Sequence, residues 1–100
     1  MKYIKKFEKN DNKPELGDYV IVSEINNSIV YDFISNSVGR FVVFIDNNIN
    51  QYHIRFDDIP EELNSFFSYD CRNYRLHEIL YWSKDKKDLE IILQSNKFNI

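Results

Sequence analysis

Four carboxylates fall within six residues in "FDDIPEEL": Asp57, Asp58, Glu61 and Glu62. Acids grouped this closely can hold a cation, act as an acid and base across a scissile bond, or present negative charge to a basic surface. A calcium loop needs alternating oxygen ligands about a central glycine, and this stretch has neither. Glycoside hydrolysis needs a substrate cleft, of which the neighbouring residues give no sign. Two readings remain. In one, Asp58 and Glu61 cap a helix while the other acids are solvated. In the other, all four form a partner-binding rim that steers the protein toward a basic surface.

A second constellation lies in "FFSYDCRNYR", where Phe66, Phe67, Tyr69 and Tyr74 are interleaved with Arg72 and Arg75. Tyr69, Arg72, Tyr74 and Arg75 are the candidates for stacking and clamping a nucleic-acid strand. The same pattern arises when aromatics fill a small core and arginines cover its edge. Because no sustained basic stripe accompanies it, nucleic-acid binding is the alternative and protein binding the leading expectation.

The nucleophile and metal chemistries are poorly served. Cys71 with His53 or His77 offers a thiol and a base, but no local signature surrounds them, and one cysteine with two histidines falls short of a four-ligand zinc site. With two glycines in the chain no glycine-rich phosphate loop can be built, and no serine nucleophile elbow is present. No catalytic residue, metal or cofactor is expected, and the protein is read as a non-enzyme.

Charge is segregated along the chain. Residues 1 to 14 carry five lysines against two acids, 15 to 70 carry two arginines against ten acids, and 71 to 100 carry six basic residues against four acids, for a net charge of -3. The acidic middle points to a basic partner rather than to a fold. The lone cysteine calls for no oxidising compartment, and the longest apolar run, Phe41 to Ile45, is far shorter than a membrane span of roughly 20 residues. "MKYIKKFEKN" lacks the apolar stretch and cleavage site of a signal peptide. A soluble protein of the cytoplasm, with no membrane partner, is expected.

These side chains must be positioned by short elements. "GDYVIVSEI" has the β-branched and aromatic residues of a strand after a glycine turn. "NNSIVYDFISNS" places Ile29, Val30, Phe33 and Ile34 at helical spacing behind a cap at Asn27 or Ser28. "VGRFVVFI", apolar without interruption from Phe41 to Ile45, predicts a strand covered on both faces. "QYHIRFDD" alternates, with Tyr52, Ile54 and Phe56 on one side and His53, Arg55 and Asp57 on the other, and "DNNIN" before it supplies a hairpin loop. "DDIPEEL" predicts a helix start with Asp58 as cap and Pro60 near the first position. "CRNYRLHEILYW" reads as one further strand burying Tyr74, Leu76 and Ile79. Ser83 then caps a terminal helix with Leu89, Ile92 and Leu93 on one side.

Strands separated by turns, with a helix at the end, predict a mainly β, α+β fold: a small SH3-like antiparallel barrel spanning residues 15 to 100, preceded by an arm or added strand over 1 to 14. The "GDYVIV" strand, "FISNSVGR", "YHIRFDDIPEEL" and "EILYWSKDKKDLEIIL" together resemble uncharacterised small proteins encoded by phages of low-GC bacteria. The composition, with no alanine or threonine and abundant Asn, Ile, Lys, Tyr and Phe, fits a low-GC genome. The resemblance implies a viral origin and an SH3-like core, and it carries over no functional residues. On these grounds the chain is expected to be a non-catalytic interaction module, monomeric or homodimeric. It would bind a host protein through its acidic surface, as an inhibitor of a host defence or nucleic-acid-handling enzyme, the anti-CRISPR type included.

Overall fold

The computed structural model describes residues 13 to 46 and 50 to 98. The predicted N-terminal arm falls almost entirely outside these residues, as does the hairpin tip at 47 to 49. Five strands, β1 (Tyr19–Val22), β2 (Gly39–Ile45), β3 (Gln51–Arg55), β4 (Cys71–Tyr74) and β5 (Ile79–Ser83), form one antiparallel sheet in the order β4-β3-β2-β1-β5. Two α-helices accompany it, α1 (Ser28–Ser35) between β1 and β2 and α2 (Lys86–Phe98) after β5. The sheet is not closed. Its edges are β4 and β5.

Alternation explains the core. Register pairs Tyr52 with Tyr74 and Phe44, and Ile54 with Phe41 and Arg72, so these side chains share the inner face. Val20, Val22, Phe41, Tyr52, Ile54, Phe56, Tyr74, Ile79 and Trp82 are buried there, with Val30 and Ile34 of α1 laid over them. Asn27 caps α1 through its Oδ1, which accepts the Ile29 N–H at 2.9 Å. α2 packs on the opposite face, against β5 and β1, where Leu89 and Ile21 are buried.

Four local expectations are corrected. β2 is not covered on both faces: a bulge between Phe41 and Val43 shifts the alternation, Val42 and Val43 are exposed where α2 covers only the β1 and β5 end, and Phe44, against Phe41 and Tyr52 on the inner face, is itself part-exposed. "CRNYRLHEILYW" is two strands rather than one, since the 3₁₀ turn Leu76–Glu78 reverses the chain and leaves Leu76 exposed. Asp58 caps nothing. Its φ is 58°, and the helix it was to cap is a 3₁₀ helix, Glu61–Phe66, with Pro60 at the cap position and no side-chain cap. Ser83 is the buried last residue of β5, and Asp85 caps α2 by accepting the Lys87 N–H at 3.0 Å.

Two buried carboxylates tie loops to this frame. Asp18, fully buried, accepts the Glu15 N–H at 2.8 Å and a hydrogen bond from the Lys84 ammonium at 2.7 Å, latching the turn before β1 to the start of α2. Glu24, 4% exposed, takes both arms of the Arg72 guanidinium at 3.0 Å each and the Tyr74 hydroxyl at 2.7 Å. Arg72 also donates to the Phe66 carbonyl at 2.8 Å. One guanidinium thereby joins the loop after β1, strand β4 and the end of the 3₁₀ helix.

Proton affinities follow from these contacts. Burial, with the Glu24 carboxylate beside it, pushes the Tyr74 phenol up, and burial alone does so for Tyr52. Burial likewise raises the Cys71 thiol, while hydrogen bonds to Asp18 and Glu15 raise Lys84. All four groups hold their protons more tightly folded than unfolded. Their contribution to stability is therefore complete below the unfolded values and lost as pH rises through the folded ones. The denaturant midpoint is expected to fall above about pH 9, where the unfolded chain begins to release these protons, and a midpoint rising between about pH 9 and 11 would contradict the assignment.

Candidate functional site

The segment joining β3 to β4 has two sides. Its lower side is apolar: Ile59, Leu63, Phe66 and Phe67 pack on the core, and Phe67 meets Phe33 and Phe56 edge-on with ring centroids 5.9 Å apart in both pairs. Arg72 lies over the Phe67 ring, 5.7 Å from its centroid. The upper side carries Asp57, Asp58, Glu61 and Glu62, all exposed. Half-buried rings thus hold this excursion against the core beneath its charges.

None of these four carboxylates forms an ion pair or hydrogen bond with a described residue. That sets them apart from Asp18 and Glu24, and from Asp88 and Glu78, which accept from the Ser83 hydroxyl and the Arg75 N–H respectively. Asp57 differs from the other three in its surroundings, since it also lines a cleft with Arg40, Arg55 and Lys86.

The second constellation does not converge. Arg72 and Tyr74 alternate onto the inner face and are held by Glu24, so neither can clamp a strand of nucleic acid. Tyr69 stands 96% exposed at the tip of a tight turn, with Asp70 beside it, both at positive φ. Arg75 is exposed beyond the end of β4. Of the four residues only Tyr69 and Arg75 face solvent.

Cys71 and His53 share the outer face of β4 and β3 in diagonal register, because Cys71 pairs with Arg55 and His53 with Asn73. No hydrogen bond joins thiol and imidazole. Burial holds the thiol above its ordinary range, the reverse of an activated nucleophile. His77 lies exposed in the 3₁₀ turn before β5. Among the described residues no three of His, Cys, Asp and Glu are gathered as metal ligands would be, and no helix is long and apolar enough to cross a membrane.

Sequence reasoning passed over a basic cleft on the outer face. Register places Tyr19, Arg40 and Arg55 in one row across β1, β2 and β3, and Lys86 approaches from the first turn of α2. The four lie on four elements, and no local spacing connects them. Comparison with known proteins finds no family model that matches the chain, and no curated protein or solved structure that aligns with it significantly.

Proposed function

We propose that this chain is a non-catalytic protein-interaction module that presents Asp57, Asp58, Glu61 and Glu62 to a basic surface on its partner. One observation carries the reading: these four carboxylates are exposed, and unpaired among the described residues, on a segment whose opposite side packs half-buried against the core. Carboxylates that form no ion pair or hydrogen bond with a described residue remain available to steer association and to reject acidic partners. Proteins that hold nucleic acid carry basic grooves lined with Lys and Arg. A phage origin, as the resemblance implies, would make the partner a host protein of that kind.

The same proposal includes an SH3-like barrel. Three features favour it: β1 pairs with both β2 and β5, β2 carries a bulge, and a single 3₁₀ turn leads from β4 into β5. Bulges bend strands, and bending of that kind is what brings the edges of a small sheet together in a barrel.

Reversing all four charges to lysine tests the binding role. In affinity capture from cells expressing the tagged protein, the wild type is expected to retain a basic protein that is released as salt rises, while the variant retains none and keeps its circular-dichroism spectrum. Equal capture by both chains would defeat the proposal.

A further inference from the structure

The outer-face cleft encloses about 490 Å³, within the range of small-ligand sites. Its cations are Arg40, Arg55 and Lys86, its single carboxylate is Asp57, and Tyr19, Val38 and Val42 supply apolar surface. Arg40 and Arg55 sit directly opposite each other across β2 and β3. Like charges in that register weaken a sheet unless something between them is negative. Neither guanidinium has a carboxylate partner among the described residues, whereas Arg72 and Lys84 each do.

Arg40 is also prepositioned. Its Nε donates to the Gly17 carbonyl at 3.2 Å, and its guanidinium lies over the Tyr19 ring, 5.3 Å from the centroid. Its two terminal nitrogens have no acceptor among the described residues. Two arginine forks side by side match the geometry of a phosphate, and Lys86 adds a third charge from the side. Helix polarity is not needed here, since Asp85 already caps α2.

We infer that this cleft binds the phosphate of a nucleotide through Arg40, Arg55 and Lys86, with the base against Tyr19 and Val42. The Tyr19 ring and the guanidinium 5.3 Å from its centroid offer π and cationic surface on which a base can stack. Asp57 is an acceptor at the rim for a sugar hydroxyl or the N–H edge of a base. The cleft shares Asp57 with the acidic face, and the variants that test it, at Arg40 and Arg55, leave all four carboxylates of that face in place.

Amide NMR titrations of the full chain provide the test, with inorganic phosphate, a nucleoside monophosphate, a short single-stranded oligonucleotide and polyglutamate as separate probes. Shifts are expected at Gly17, Gly39 to Val42 and Arg55 with the monophosphate, the oligonucleotide or both. Saturation by the monophosphate identifies a free nucleotide, and a response to the oligonucleotide alone identifies a strand. Arg40→Gln and Arg55→Gln should each weaken binding about tenfold, and with three contacts the oligonucleotide should lose roughly another tenfold between low and physiological salt. Four results would overturn the inference: no shift at the cleft with either nucleotide probe, unchanged affinity in both variants, phosphate binding as tightly as the nucleotide probes, or polyglutamate doing so.

Discussion

Replacing Glu24 with alanine is expected to destabilise the protein by about 3 to 5 kcal/mol, the cost of removing one member of a buried ion pair. The carboxylate is 4% exposed and accepts three hydrogen bonds, two from Arg72 and one from Tyr74. Without it a guanidinium with only 20% of its side-chain surface exposed would keep one hydrogen-bond acceptor, the Phe66 carbonyl, and the Tyr74 hydroxyl would lose its acceptor. Against a total stability of about 5 to 15 kcal/mol, such a loss removes a large share of the native population. Apolar replacement of both partners, as Glu24→Leu with Arg72→Met, should be far milder than Glu24→Ala because no charge is stranded. Denaturant unfolding of the single and double variants measures this. Additive losses would show that the contacts do not act as a unit.

Gly39→Ala is expected to cost about 3 kcal/mol, at the upper end of overpacking effects. A Cβ at this position would collide with Ile54 Cγ2, lie 2.9 Å from Phe56 Cε1 and lie 3.2 Å from the Arg55 carbonyl oxygen. Ile54 and Phe56 are 0% and 1% exposed and cannot swing away, and the carbonyl belongs to the neighbouring strand. Thermal unfolding should shift down by roughly 15 °C, given about 4 to 8 °C per kcal/mol for a domain of this size. An unchanged midpoint would mean that β2 and β3 are not as closely apposed as described.

The parts legible in the sequence were those with a phase. Tyr52, Ile54 and Phe56 alternate with polar neighbours, so their burial could be read directly, and Val30 and Ile34 of α1 followed from helical spacing. Val42 to Phe44 could not be read in the same way, because an uninterrupted apolar run has no phase and the bulge that exposes it leaves no local mark. The break after Tyr74 was hidden because its 3₁₀ turn contains neither glycine nor proline. Arg72 alternates with Tyr74 and belonged to the inner face on that ground, yet an arginine there requires a carboxylate, and Glu24 lies 48 residues away. For the same reason the acidic segment was visible as a cluster, while the basic cleft, drawn from Tyr19, Arg40, Arg55 and Lys86, was not.

The proposed binding role depends on charges that the fold does not need. The most direct measurement is a residue-resolved NMR titration of the intact protein with a peptide rich in lysine and arginine. It should be repeated on the chain carrying Asp57→Asn, Asp58→Asn, Glu61→Gln and Glu62→Gln. Amide shifts centred on residues 57 to 62 of the wild type, and lost in a variant with the same unfolding midpoint, are the predicted result. Shifts centred elsewhere, or retained when the four charges are gone, would contradict it.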